Sequence, residues 1–113
     1  MRWALLLVLF LCACSKGAEA DLPSIAAARS LGAEWALVNE QAARGRLTTA
    51  YIETMRRSFR EQLKATASSL TQRDSPYGHE IDALLALPDG ASPDQLRAHV
   101  GKLRRIERSL ESA

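Results

Sequence analysis

Residues 92–113 read SPDQLRAHVGKLRRIERSLESA and carry the most complete helix signal in the chain. They open with the spacing of a capping box, in which the Ser92 hydroxyl is expected to accept from the Gln95 N–H and the Gln95 side chain to reach back. Pro93 suits the first position of a helix. An apolar stripe then runs to the C-terminus, at Leu96, Val100, Leu103, Ile106 and Leu110. Steps of three and four residues place this stripe on one face and predict a helix with one buried side.

Three earlier segments show the same pattern of one apolar face between helix-ending signals. The spacing predicts helices over 23–44, 48–70 and 76–87. Gly45 is expected to end the first helix, and Thr48 or Thr49 to cap the second. Ser75 followed by Pro76 is expected to begin the third. No segment alternates apolar and polar residues over a useful length, so strands are not expected.

The predicted fold is all-α, a small up-and-down bundle of about four helices with residues 22–113 as its single domain. Short loops between amphipathic helices favour antiparallel neighbours. A second arrangement buries the same faces: a long two-helix hairpin, capped at one end by two shorter helices. The sequence alone does not separate these arrangements.

The first fourteen residues have the pattern of an export signal. One positive charge precedes eight consecutive apolar residues, whereas a membrane-spanning helix needs about 20. The segment Leu11-Cys12-Ala13-Cys14 resembles the lipobox of bacterial lipoproteins, because Leu11, Ala13 and Cys14 match that motif. Cys12 stands where the family prefers a small aliphatic or hydroxyl residue. No family is recognised for the rest of the chain.

The lipoprotein resemblance implies that residues 1–13 are a signal peptide cleaved between Ala13 and Cys14. It also implies a diacylglycerol and a further acyl chain on Cys14, the only attached group that we expect. Stable anchoring needs more than one acyl chain. Residues 14–21 would then be the lipidated cysteine and a flexible tether. In this family, Ser15 implies the outer membrane, with the domain facing the periplasm.

Another cleavage site leaves a second interpretation open. Ala18-Glu19-Ala20 matches the small-residue pattern that ordinary signal peptidase cuts. Cleavage after Ala20 would release a soluble periplasmic helical protein without a lipid.

The charge balance gives no reason to expect a nucleic-acid partner. The chain has 15 Lys and Arg against 13 Asp and Glu, and the signal peptide removes only Arg2, which leaves a net charge of about +1. Two basic groups are candidate binding residues: Arg56, Arg60 and Lys64 at four-residue steps, and Arg104, Arg105 and Arg108 in the last helix. They would contact lipid phosphates at a membrane. The alternative is a solvated surface with local ion pairs.

Motifs for catalysis or metal binding are missing from the sequence. His79 and Asp82 share a face of the third predicted helix, but two ligands fall short of a metal site. Acids near a helix N-terminus are explained by the helix dipole. Nucleophile motifs and phosphate loops are likewise not found. We therefore expect no enzymatic activity, no metal and no small-molecule substrate.

The sequence thus predicts a lipid-anchored, non-enzymatic binding or structural module of the cell envelope. Tyr77, Leu84 and Leu87 are the predicted exposed patch for an envelope protein partner. Two further functions stay open. One is a pilotin-like adaptor for an outer-membrane secretion complex, similar in size and helical character but without a matching motif. The other is non-covalent binding to the cell wall.

Overall fold

The computed structural model describes residues 17–113, so the predicted signal peptide, lipobox and Cys14 lie outside the described residues. A 3-10 turn, Ala18–Asp21, precedes four helices: α1 (Leu22–Ala43), α2 (Thr49–Ser69), α3 (Pro76–Ala86) and α4 (Pro93–Glu111). The predicted all-α fold is confirmed. Each predicted helix is present, with ends that differ from the prediction by at most two residues.

Capping hydrogen bonds explain why the helix starts could be predicted. Thr48, Ser75 and Ser92 each accept a hydrogen bond from the backbone N–H three residues later, at 3.0 to 3.2 Å. Gly45 follows α1 with a φ of 68°, the left-handed conformation that glycine adopts at little cost. Local chemistry therefore sets these helix ends.

The helices form an up-and-down bundle. α1 packs along α4 in the most extensive interface and along α2 in the next, while α3 lies between α2 and α4. Ion pairs fix the antiparallel direction of α1 and α4, since Arg29 meets Glu107 and Glu40 meets Arg97. Because α4 runs along α1, and does not fold over the end of an α1–α2 hairpin, the alternative arrangement is wrong.

All four helices contribute large side chains to one core. The fully buried apolar ones are Ile25, Trp35, Phe59, Leu63, Ile81, Leu84, Leu96 and Leu103. Gly32 lets α4 approach α1 closely, because a Cβ at this position would lie 2.8 Å from Cγ2 of Val100. The interface between α1 and α4 thus requires glycine at position 32.

The predicted apolar patch on α3 is wrong for two of its three residues. Tyr77 is 2% exposed and Leu84 is fully buried, while Leu87 is half-buried. α3 contacts both α2 and α4, so most of its apolar side chains turn inward. A single-face pattern cannot show that a short helix packs against two neighbours.

The prediction of a flexible tether over residues 14–21 is wrong for residues 18–21. Ala18–Asp21 is a 3-10 turn, and Asp21 is only 1% exposed. Its carboxylate is bonded to the loop between α2 and α3, so this segment belongs to the folded domain.

Candidate functional site

A buried carboxylate holds the chain where it joins the bundle. Asp21 accepts hydrogen bonds from the Thr71 N–H at 2.8 Å, the Thr71 hydroxyl at 2.9 Å and the Gln72 N–H at 3.0 Å. The Tyr77 hydroxyl donates a fourth, at 2.7 Å. Burial acts to raise the pKa of Asp21, but the hydrogen bonds outweigh it and hold that pKa below its usual value. Asp21 is therefore ionised at neutral pH although it is buried.

Tyr77 is fixed by the same carboxylate. Burial, together with the hydrogen bond to Asp21, raises the pKa of Tyr77 to about 12. The residue sits in the first turn of α3, which Ser75 caps. Its ring is thus held in place at the end of the bundle where the chain enters.

An open and mostly apolar groove of about 400 Å³ lies beside this network. We call it the N-terminal groove. It is bounded by the 3-10 turn, the start of α3 and the last two turns of α4. Its residues are Ala18, Gln72, Ser75, Pro76, Tyr77, Arg105, Ile106, Ser109 and Leu110. The volume falls within the range of small-ligand sites, ~300–1,000 Å³.

The apolar floor of the N-terminal groove comes from α4. Ile106 and Leu110 are half-buried and pack against the core, so each offers part of its side chain to the groove. Arg105 is exposed at the rim, one residue before Ile106. The arrangement offers apolar contact inside and one guanidinium outside, which suits an alkyl chain better than a polar substrate.

Two of the predicted binding residues, Tyr77 and Arg105, meet in this groove. Arg104 and Arg108 are exposed elsewhere on α4. Their contact with lipid phosphates stays a prediction.

Arg60, predicted to lie in a lipid-binding stripe, is a structural residue. Its Nε donates to Asp89 Oδ1 at 2.8 Å, and its two terminal nitrogens donate to the carbonyls of Leu85 and Leu87 at 2.8 and 2.7 Å. The guanidinium also lies 5.5 Å from the centre of the Trp35 ring. Since all three nitrogens are engaged, Arg60 holds the C-terminal end of α3 and does not point to a lipid.

Arg56 helps to hold the loop between α3 and α4, by a hydrogen bond to Asn39 of α1. Its Nε donates to Asn39 Oδ1 at 3.0 Å, and Asn39 Nδ2 donates to the carbonyls of Asp89 and Ala91 at 3.0 and 2.8 Å. Trp35 Nε1 donates to the Asp89 carbonyl as well, at 3.0 Å. This network lays the loop between α3 and α4 across α1 and α2.

The surface around Lys64 is of mixed charge. Lys64 is exposed, but Glu53, Glu61 and Asp89 line the same shallow depression as Arg56, Arg57, Arg60 and Lys64. The predicted cationic stripe is thus interleaved with acids. A role for Lys64 in lipid binding stays a prediction.

Two polar partnerships were not foreseen from the sequence. Asp21 lies in a segment of small residues that resembles a linker, and only its position directly before a helix hinted at an ordered role. His99 has no acidic residue at helical spacing before it, yet its Nδ1 bonds Glu80 of α3. Both side chains of this pair are mostly buried, at 19% and 15% exposed. The partner of His99 depends on how α3 packs on α4, which local spacing does not contain.

Within residues 17–113, no group of three or more His, Cys, Asp or Glu side chains is placed to hold a metal ion. In the same part of the chain, no helix has the length and apolar character needed to cross a bilayer. Comparison with known proteins gives no match to a family model, a curated protein or a solved structure.

Proposed function

We propose that this chain is a lipoprotein, cut before Cys14 and held on a membrane by lipid attached to that cysteine. Its bundle acts as a non-enzymatic binding or structural module of the cell envelope. The observation that carries the proposal is the export-signal pattern that ends in Leu11-Cys12-Ala13-Cys14, only four residues before the 3-10 turn that begins at Ala18. Four Cα–Cα steps from Cys14 to Ala18 reach ~14 Å at most.

A lipid on Cys14 would keep one particular end of the bundle at the bilayer. That end holds the 3-10 turn, the loop between α2 and α3, and the C-terminus of α4. Asp21 ties the first two of these together. The lipid would therefore fix which end of the bundle faces the membrane. An anchor on a long linker would leave the bundle free to turn.

The opposite end of the bundle is the surface that such an anchor presents to partners. α1 has 22 residues and spans ~33 Å at 1.5 Å per residue. When the bundle stands upright on the membrane, the turn around Gly45 projects by this distance. Leu37 and Tyr51 are exposed towards this end, at 53% and 47%. We propose this far end as the place where an envelope protein is met, with the outer membrane as the expected location.

Fractionation of cells expressing the full chain tests the anchor. Wild type is expected in the membrane fraction and in the detergent phase of a Triton X-114 extraction, and to incorporate an alkyne fatty acid. Cys14→Ser should lose both properties, because the thioether cannot form. Cys12→Ser is the matched control and should keep both, since residue 12 leaves with the signal peptide.

An unlabelled and soluble wild type would refute the lipid anchor. The N-terminal mass of the purified protein would then show whether cleavage follows Ala20. Separation of the two membranes on a sucrose gradient would report the location independently.

A further inference from the structure

We infer that the N-terminal groove holds one acyl chain of the lipid on Cys14, so that the bundle packs against its own anchor. The inference rests on the proposed lipid modification and adds a ligand and a binding site to it.

A lipid attached to Cys14 can reach the groove. Ala18 forms part of the groove wall, and Cys14 precedes it by only four residues. A chain of atoms that starts at Cys14, at most ~14 Å from Ala18, is within reach of the groove. A tether this short also gives the attached chain a high effective concentration at the groove, on the order of millimolar or more.

The lining of the groove suits an acyl chain. Pro76, Ile106 and Leu110 present apolar surface, and removing methylene groups from water against such surface is favourable. At the rim, Arg105 carries N–H donors that can meet the ester carbonyls at the head of an acyl chain. A single apolar chain with acceptor oxygens at one end fits a groove that is apolar inside and has a guanidinium at its rim.

A second copy of the protein is a poorer occupant. The exposed large apolar side chains of the described residues, Leu37 and Tyr51, lie towards the other end of the bundle. If two copies met at their grooves, neither would have a large exposed apolar side chain nearby to insert into the groove of the other. One lipid chain in the groove leaves two for the bilayer, and two suffice for stable anchoring.

Photo-cross-linking in intact cells tests the inference. Cells producing the full chain are fed a fatty acid that carries a diazirine, are irradiated, and the protein is digested and mapped by mass spectrometry. We expect the lipid on the Cys14 peptide to be joined to the peptides that contain Tyr77 or Ile106 and Leu110. Leu110→Asp should lower the yield of this product several-fold. Ala98→Asp, which adds the same charge at an exposed site on α4 outside the groove, should leave it unchanged.

A second variant covers the risk that Leu110→Asp unfolds, because Leu110 touches the core. Ser109→Trp places a ring in the groove from an exposed position and should lower the yield to a similar degree. Unfolding curves followed by circular dichroism identify any variant that has lost its fold.

The outcomes separate this inference from the proposed function. If Cys14 carries the probe but the groove peptides are not joined to it, the inference is overturned and the lipoprotein proposal stands. If the groove peptides carry a free phospholipid instead, the groove binds membrane lipid and the inference is again overturned. If Cys14 carries no probe at all, both fail.

Discussion

Gly78 lies at the third position of α3, under the backbone of the loop that connects α2 to α3. A Cβ on this residue would lie 2.1 Å from the carbonyl oxygen of Arg73, far inside van der Waals contact. The loop has little freedom to withdraw, because the N–H groups of Thr71 and Gln72 are bonded to Asp21. The need for glycine at this position follows from the path of a loop, and helix periodicity gave no sign of it.

Gly78→Ala should therefore destabilise the domain by ~3 kcal/mol, the upper end of the usual cost of overpacking. Gly101→Ala is the matched control in α4, where the nearest atom to an added Cβ is the flexible Arg105 terminus at 3.9 Å. That change should stabilise by ~0.5–1 kcal/mol, since alanine favours the helix. Urea unfolding measures both, and equal midpoints for the two variants would show that the loop above Gly78 yields freely.

At the scale of the helix, prediction succeeded where the controlling interactions are local. Caps such as Ser92 lie within three residues of the groups they bind, so the helix ends could be read from spacing. The same spacing marked Arg56, Arg60 and Lys64 as one stripe and could not distinguish their roles. Arg60 finds its partners 25 to 29 residues away, at the end of α3 and in the loop after it, whose positions depend on the whole bundle.

Arg60→Lys should destabilise the domain by ~2 kcal/mol, because an ammonium group cannot span the two carbonyls and the carboxylate that the planar guanidinium bonds together. Lys64→Ala, one turn further along the same helix, should change the free energy of unfolding by less than ~0.5 kcal/mol. Thermal unfolding of both purified variants decides the matter. A Lys variant as stable as wild type would mean that the end of α3 needs only a positive charge.

For the whole molecule, the bundle was predictable and the route by which its first residues join it was not. Both arrangements allowed by the sequence bury the same apolar faces, so only the packing of α4 along α1 separates them. The N-terminal groove depends on Asp21, which lies about fifty residues from its partners in the chain. Contacts between residues so far apart produce no spacing pattern in the sequence. For this reason the sequence of residues 18–21 resembles a tether.

The hydrogen bond between Tyr77 and Asp21 predicts a stability that falls at both ends of the pH scale. The folded pKa of Asp21 lies below its unfolded value of about 3.9, so its contribution is present above that pH and is lost as pH falls through the folded pKa. The folded pKa of Tyr77, about 12, lies above the unfolded value, so its contribution is complete below the unfolded pKa of ~10 and disappears as pH rises towards 12.

Tyr77→Phe should lower the free energy of unfolding at neutral pH by ~1.5–3 kcal/mol, the usual contribution of a hydrogen bond to a charged group. It should also remove the loss of stability between pH 10 and 12. Tyr51, the other tyrosine, is exposed, and Tyr51→Phe is therefore the control. Thermal unfolding across the pH range measures both variants. An alkaline loss that persists in Tyr77→Phe would assign it to a different group.

The pairing of α1 with α4 has a consequence for timing. A chain is delivered N-terminus first, whether it leaves a ribosome or is threaded through a membrane. The surface that α1 needs is supplied mainly by the last helix to emerge, whose first residue is Pro93. For most of its passage the chain has helices that can form but no completed core to lock them. We therefore expect the core to be completed only after the last helix has emerged.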